Sequence, residues 1–395
     1  MNDGANIALS TKLARAQELA HEHGTPLYVY DTAGMRERAQ QLTRLQLPYG
    51  LTVRYAVKAN PHPEIIKAFV EDGLNFDASS SYEAARLLEQ GVRGEQISLS
   101  SQQPAHNLPE LLKEGVLFVA TSMHQLELFT AEVNHPSNVG LRVNPGTGHG
   151  HNNRLTTGGM AASFGLWHEY VPQALKYAKE QGIVIDRLHV HVGTGGDPSK
   201  WGHILDMALN IAAQMPDVTS LDIGGGFKIA YTKDDTEADM PSIAWLFAHK
   251  LTEFAERTDR KLKLEIEPGR WLVAHGGVLM TEVVDVVDTG EGGYTFLRTN
   301  TGMNDFLRPA MYGAQHEMRT LSDDPEQVEY VVVGHACETS DILTPAPHDP
   351  EGILPRTLNK TRVGDLLVIA DTGAYCASMS TKGYNAYPEA KEVLL

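Results

Sequence analysis

Eight short β-rich runs, most of them followed by an amphipathic helical stretch, constrain this chain more than any other feature. The runs cover residues 53–57, 74–78, 96–99, 117–121, 139–143, 187–192, 220–223 and 262–266. Helical patterning covers 64–72, 84–90, 108–114, 124–132, 171–181, 200–214 and 243–257. Pro61 and Pro63 suit a helix start. Ser80-Ser-Tyr-Glu83 reads as a capping box, with Gly91 as the stop. No fixed short-period repeat is present. Consecutive β-then-α units require parallel strands joined by right-handed crossovers. An open doubly wound sheet is the alternative, but eight regular units favour closure. The expected class is α/β, a (β/α)8 TIM-like barrel over residues 31–275.

After Gly276-Gly277 the texture changes. Residues 278–287, 293–298, 327–333 and 365–370 are β-rich and separated by Gly, Pro and Asp turns. They predict a second, mainly antiparallel β domain over 276–395, with residues 1–30 as an N-terminal segment packing on it. Residues 147–162, rich in Gly and His, and the acidic stretch 228–241 read as loops. Lys+Arg is 33 against Asp+Glu 50, a net charge of −17. That balance argues against nucleic-acid and anionic-membrane partners, which need a basic surface. Two cysteines exclude a disulfide scaffold. No apolar run approaches the ~20 residues of a membrane span. The start, Met1-Asn-Asp-Gly-Ala, lacks a signal-peptide pattern. The expectation is a cytoplasmic protein acting on a small molecule.

Active residues of such barrels come from the C-terminal ends of the strands. Lys58 closes the first run. Alone it reads more readily as a lysine reaching for solvent; its functional use is amine chemistry through a Schiff base. Gly224-Gly-Gly226 follows the seventh run, as a tight turn or as a phosphate cradle of bare N–H groups. Glu267 ends the eighth run, where a buried carboxylate needs a partner. Arg270 is the structural candidate, and a cofactor nitrogen the functional one. His189 and His191, two apart, predict one shared strand face. A metal reading is weakened because barrel hydrolases carry such a pair on the first strand; no metal is expected. Lysine, glycine nest, flat imidazole and buried glutamate together fit one ligand, pyridoxal 5'-phosphate.

Longer stretches now add up. Tyr55-Ala-Val-Lys-Ala-Asn60, His191-Val-Gly-Thr-Gly195, Gly224-Gly-Gly-Phe227 and Glu267-Pro-Gly-Arg270 come in order. Gly302-Met-Asn-Asp-Phe-Leu-Arg-Pro-Ala-Met-Tyr312, Cys337-Glu338…Asp341 and Asp371-Thr-Gly-Ala-Tyr375 follow. With these the chain resembles the barrel-type (fold type III) pyridoxal-phosphate-dependent decarboxylases, most of all the bacterial diaminopimelate decarboxylases. The resemblance implies decarboxylation of meso-2,6-diaminopimelate to L-lysine and carbon dioxide. It implies that Lys58 carries the cofactor, that Asp77 lies near it, and that His191 stacks on the ring. Glu267 would face the ring nitrogen. Thr194, Gly225, Gly226, Arg270 and Tyr375 would surround phosphate or substrate. Arg308, Tyr312 and Glu338, helped by Arg270 and Tyr375, would read the distal end of the amino-acid substrate. Cys337 would donate the proton after carbon dioxide leaves. In the family the Cys-Glu pair serves the neighbouring subunit, implying a homodimer with shared active sites.

Departures from the family pattern are local. Cys337-Glu-Thr-Ser-Asp341 replaces the usual Cys-Glu-Ser-Gly-Asp, Gln315 stands where Tyr is common, and Cys376 where Gly is common. Residues 380–385 differ from the usual serine-asparagine run. The chain ends at Leu395, without the final strand region of many relatives. The rival readings are a decarboxylase for ornithine or lysine of either hand, an amino-acid racemase, and an inactive cofactor-binding relative. The racemase is disfavoured because such enzymes place arginine where Glu267 stands. Intact Lys58, Glu267 and Cys337 argue against the inactive relative.

Overall fold

A computed structural model describes residues 3–133, 137–147, 158–193 and 195–395. It divides into two compact units. One comprises residues 36–229 with 236–272, the other residues 1–35 with 230–235 and 273–395.

In the first unit all eight expected runs form strands: Leu51–Ala56, Asn75–Ala78, Ile97–Leu99, Leu117–Ala120, Ser137–Asn144, Ile183–His189, Ser220–Asp222 and Lys263–Ile266. Every neighbouring pair is parallel, and the eighth strand pairs with the first, Leu264 opposite Leu51. The sheet therefore closes into the barrel. A two-residue strand, Leu166–Trp167, adds to the fifth. Helix starts follow local chemistry. Ser80, Ser122, Asp197 and Asp239 each accept a backbone N–H of the first turn. Helix Pro63–Glu71 buries Ile65, Ile66, Ala68 and Phe69, the apolar stripe that commits it to the barrel wall. Inside the barrel Glu265 is clamped by Arg54 at 2.6 Å and Arg187 at 3.1 Å. A buried carboxylate at that depth requires such partners.

The second unit is an eight-stranded, mainly antiparallel sheet. The long strand Gly277–Asp288 pairs antiparallel with Leu27–Tyr30, Thr295–Thr299 and Leu366–Ile369. Two pairings are parallel: Thr295–Thr299 with Gln327–Val333, and Leu27–Tyr30 with Lys391–Leu394. The last pairing makes a strand of Lys391–Leu394, which no run in the sequence predicted. Four residues with two charges carry no strand signal; a partner over 360 positions away decides their state. Helix Asp3–His23 packs Ala16, Leu19 and Ala20 against Leu27, Val29, Met280, Leu366 and Val368. Of the expected loop 147–162, residues 148–157 lie outside the described residues. No helix among the described residues is long and apolar enough to cross a membrane.

Candidate active site

The first barrel strand stops at Ala56, and Lys58 sits in the tight turn Val57–Ala59 just beyond it. Its side chain is 47% exposed, so the amine is reachable. Nζ donates to Ser79 Oγ at 2.9 Å and lies 3.3 Å from Asp77 Oδ2. Asp77 is buried at the end of the second strand. Ser79 is held in turn, because its N–H donates to Glu83 Oε2 at 2.6 Å while Glu83 N–H donates to Ser80 Oγ at 3.1 Å. The capping residues of one helix thus fix the hydroxyl under Lys58. Ser79 was not singled out from sequence; its place between an acidic strand end and a capping box was the available signal.

The sixth strand ends at His189, so His191 stands two residues past it rather than on the shared strand face the spacing suggested. The His189 ring is buried and the His191 ring partly buried. Burial, helped by the Arg142 charge, holds His191 well below the usual histidine range. Gly224 takes φ +71, and a side chain there would meet His191 Nδ1 at 2.2 Å. Only glycine lets the turn lie along the imidazole. A Cβ on Gly225 would fall 2.0 Å from the Glu267 carbonyl oxygen. The N–H groups of Gly225 and Gly226 donate to no described residue.

Glu267 follows the eighth strand and is buried. Its neighbour is His189, Nε2 to Oε2 3.4 Å, rather than the Arg270 weighed from sequence. Arg270 begins the short helix Arg270–Val273. Glu267 Oε1 is buried and receives no hydrogen bond from an N–H or hydroxyl of the described residues. Burial, then the Asp77 charge, pushes the Glu267 carboxyl up to about 7. Asp222, whose Oδ1 accepts the Gly224 N–H at 2.8 Å, is raised by burial and by Glu267. Burial pushes His189 down to about 4. His189, Asp222 and Glu267 offer atoms within 4.8 Å of one another. Arg142, partly buried in the fifth strand, is a further cation near these groups that sequence reading passed over.

The other predicted residues belong to the second unit. Arg308 opens the short helix Arg308–Tyr312 and is buried. No carboxylate of the described residues pairs with it; its Nε donates to His316 Nε2 at 3.4 Å. Burial works against its charge, but Tyr231, Cys376, Tyr312 and Tyr375 around it favour the charge, and the net effect raises its pKa. Tyr312 OH reaches Met379 Sδ only at 4.0 Å. Tyr375 takes φ +57. Cys337 and Glu338 are exposed on a loop hung from buried Asp341, which accepts the N–H groups of Ala336 and Met303. Cys337 N–H donates to Asn385 Oδ1 at 2.7 Å. Two departures are absorbed locally. The Gln315 amide donates to the Gly313 and Pro345 carbonyls, and Cys376 is buried against Ala374 O. Thr194 lies outside the described residues.

A reachable amine, glycine N–H groups without described partners, and a buried carboxylate oxygen that accepts from no N–H or hydroxyl of the described residues suit an aldehyde, a phosphate and a pyridinium nitrogen. The barrel unit's residues therefore fit pyridoxal phosphate.

Comparison with known proteins agrees. Residues 34–274 match the model of the pyridoxal-dependent decarboxylase pyridoxal-binding domain. The chain is 34% identical to the diaminopimelate decarboxylase of Streptomyces coelicolor, over 96% of this chain and 87% of that protein. It is 31% identical to that of Escherichia coli, over 95% and 90%. A crystal structure of a diaminopimelate decarboxylase superposes with TM-score 0.87 at 31% identity, covering 95% of this chain and 90% of that one. The protein belongs to the family of pyridoxal-dependent decarboxylases, alongside the diaminopimelate decarboxylases.

Proposed function

We propose that this decarboxylase acts on meso-2,6-diaminopimelate, releasing carbon dioxide and L-lysine. One observation carries the choice: Arg308 is buried with no carboxylate among the described residues to pair with it. A guanidinium kept in that state suits a carboxylate brought by the ligand. Ornithine or lysine, with no second carboxylate, would leave it without a counter-ion.

When bound, pyridoxal phosphate supplies an electron sink for the bond that breaks. Lys58 would hold its aldehyde, Gly225, Gly226 and Thr194 its phosphate, His191 its ring face and Glu267 its ring nitrogen. Asp77 and Ser79 orient the Lys58 amine. Arg308, with Tyr312 and Tyr375, would bind the substrate's distal carboxylate, Arg270 would also contact substrate, and Glu338 would take the distal ammonium. Cys337 delivers a proton from Sγ to the carbon that has lost carbon dioxide. Exposure of Cys337 and Glu338 supports their action in a neighbouring subunit, and hence a homodimer with shared sites.

The test compares carbon dioxide release from meso-diaminopimelate, lysine and ornithine. The expected preference for the first is roughly a hundredfold or more. A higher rate on ornithine or lysine would reassign the substrate. Borohydride trapping should label Lys58, and Lys58→Ala should lose the visible absorbance.

A further inference from the structure

The Arg308 side chain is aimed by a second buried residue. His316 is 2% exposed, and its Nδ1 lies 2.8 Å from the Ala370 carbonyl oxygen. A carbonyl only accepts, so Nδ1 carries the ring proton and Nε2 is the bare nitrogen. Nε2 is the atom that faces Arg308 Nε–H at 3.4 Å. Proton order along the chain is thereby set: Arg308 donates to His316, which donates to Ala370. Turning the imidazole over would put carbon atoms where the two nitrogens now bond and lose both contacts. The Phe306 ring lies against it at 4.9 Å, inclined by 85°, and the Tyr231 ring at 4.7 Å. Tyr231 also lies under the guanidinium, 5.1 Å from ring centre to Cζ.

This arrangement has a chemical consequence. A guanidinium can grip a carboxylate through its Nε side or through its two terminal nitrogens. With Nε committed to His316, the terminal pair remains, and neither of its nitrogens bonds a described residue. We infer that His316 is a positioning residue for substrate choice, a neutral acceptor that holds Arg308 so that its terminal nitrogens form a fixed fork for the distal carboxylate. This rests on the reading of Arg308 given above. His316 touches no substrate; it acts through Arg308.

The test uses the holoenzyme and two inhibitors, L-lysine and cadaverine, which differ only by a carboxylate. The ratio of their inhibition constants reads the carboxylate grip without turnover. The wild type should favour L-lysine. His316→Phe keeps an aromatic ring between Tyr231 and Phe306 but removes the acceptor. It should shrink that preference about tenfold, the scale of one charge-assisted hydrogen bond. Cadaverine inhibition and cofactor absorbance should hold. His316→Gln, which can both accept and donate, should recover most of the preference, and the shorter His316→Asn should not. A preference unchanged in His316→Phe, or equal in the Gln and Asn variants, would reduce His316 to packing and overturn the inference. Arg308→Ala is the control. If it too leaves the preference intact, the Arg308 reading has failed and the inference falls with it.

Discussion

His189 Nε2 lies 3.4 Å from Glu267 Oε2, and both side chains are buried. The contact is not an ordinary ion pair, because burial holds His189 neutral, down to about 4, while Glu267 is pushed up to about 7. A pH signature follows. Between the ordinary glutamate value of 4.5 and about 7, folded Glu267 keeps a proton that the unfolded chain releases. Its stabilising contribution is therefore lost as pH rises through about 7. His189 has the opposite sign, gaining stability from about 4 up to its ordinary 6.5, and is complete above that. In cofactor-free protein, the melting temperature of Glu267→Gln relative to wild type should rise from about pH 5 to about pH 8. A flat difference would show that Glu267 titrates normally.

Gly225 has no room for a methyl group, since its Cβ would sit 2.0 Å from the Glu267 carbonyl oxygen. Gly225→Ala should cost about 1–3 kcal/mol of stability, as overpacked sites do. It should also weaken cofactor uptake, because the glycine turn and the Glu267 strand end must move apart. Urea unfolding and absorbance titration read the two effects. Wild-type values in both would mean the turn yields freely.

Arg308→Lys keeps the charge and loses the fork. Turnover of meso-diaminopimelate should fall by about 10- to 100-fold in kcat/KM, with cofactor content unchanged. Equal loss of cofactor binding would contradict its assignment to the distal end.

The proposed sharing of sites is open to mixing. Lys58→Ala and Cys337→Ala proteins should each be nearly inactive alone. After subunit exchange, about a quarter of wild-type activity should return, since half of the dimers are mixed and each has one whole site. Mixed dimers seen by mass spectrometry without recovered activity would place Cys337 and Lys58 in the same subunit's site.

Much of this molecule was legible in the chain. The eight strand runs and seven helices were readable because each is a local periodicity closed by local caps, such as Ser80 with Glu83. The residues proposed to hold the cofactor could be picked out because barrel topology sends every strand end to one face, so Lys58, His191, Gly224–Gly226 and Glu267 were gathered by position. What stayed hidden lacks a local signal. The closing strand Lys391–Leu394 exists through its pairing with Leu27–Tyr30. The neighbour of Glu267 turned out to be His189, from two strands earlier, and not Arg270 three residues on. The His316 ring and the Ala370 carbonyl meet across 54 residues. Periodicity and capping act within a few residues and survive in sequence; burial, the proton positions it selects and the partners it supplies arise only when distant segments exclude water together.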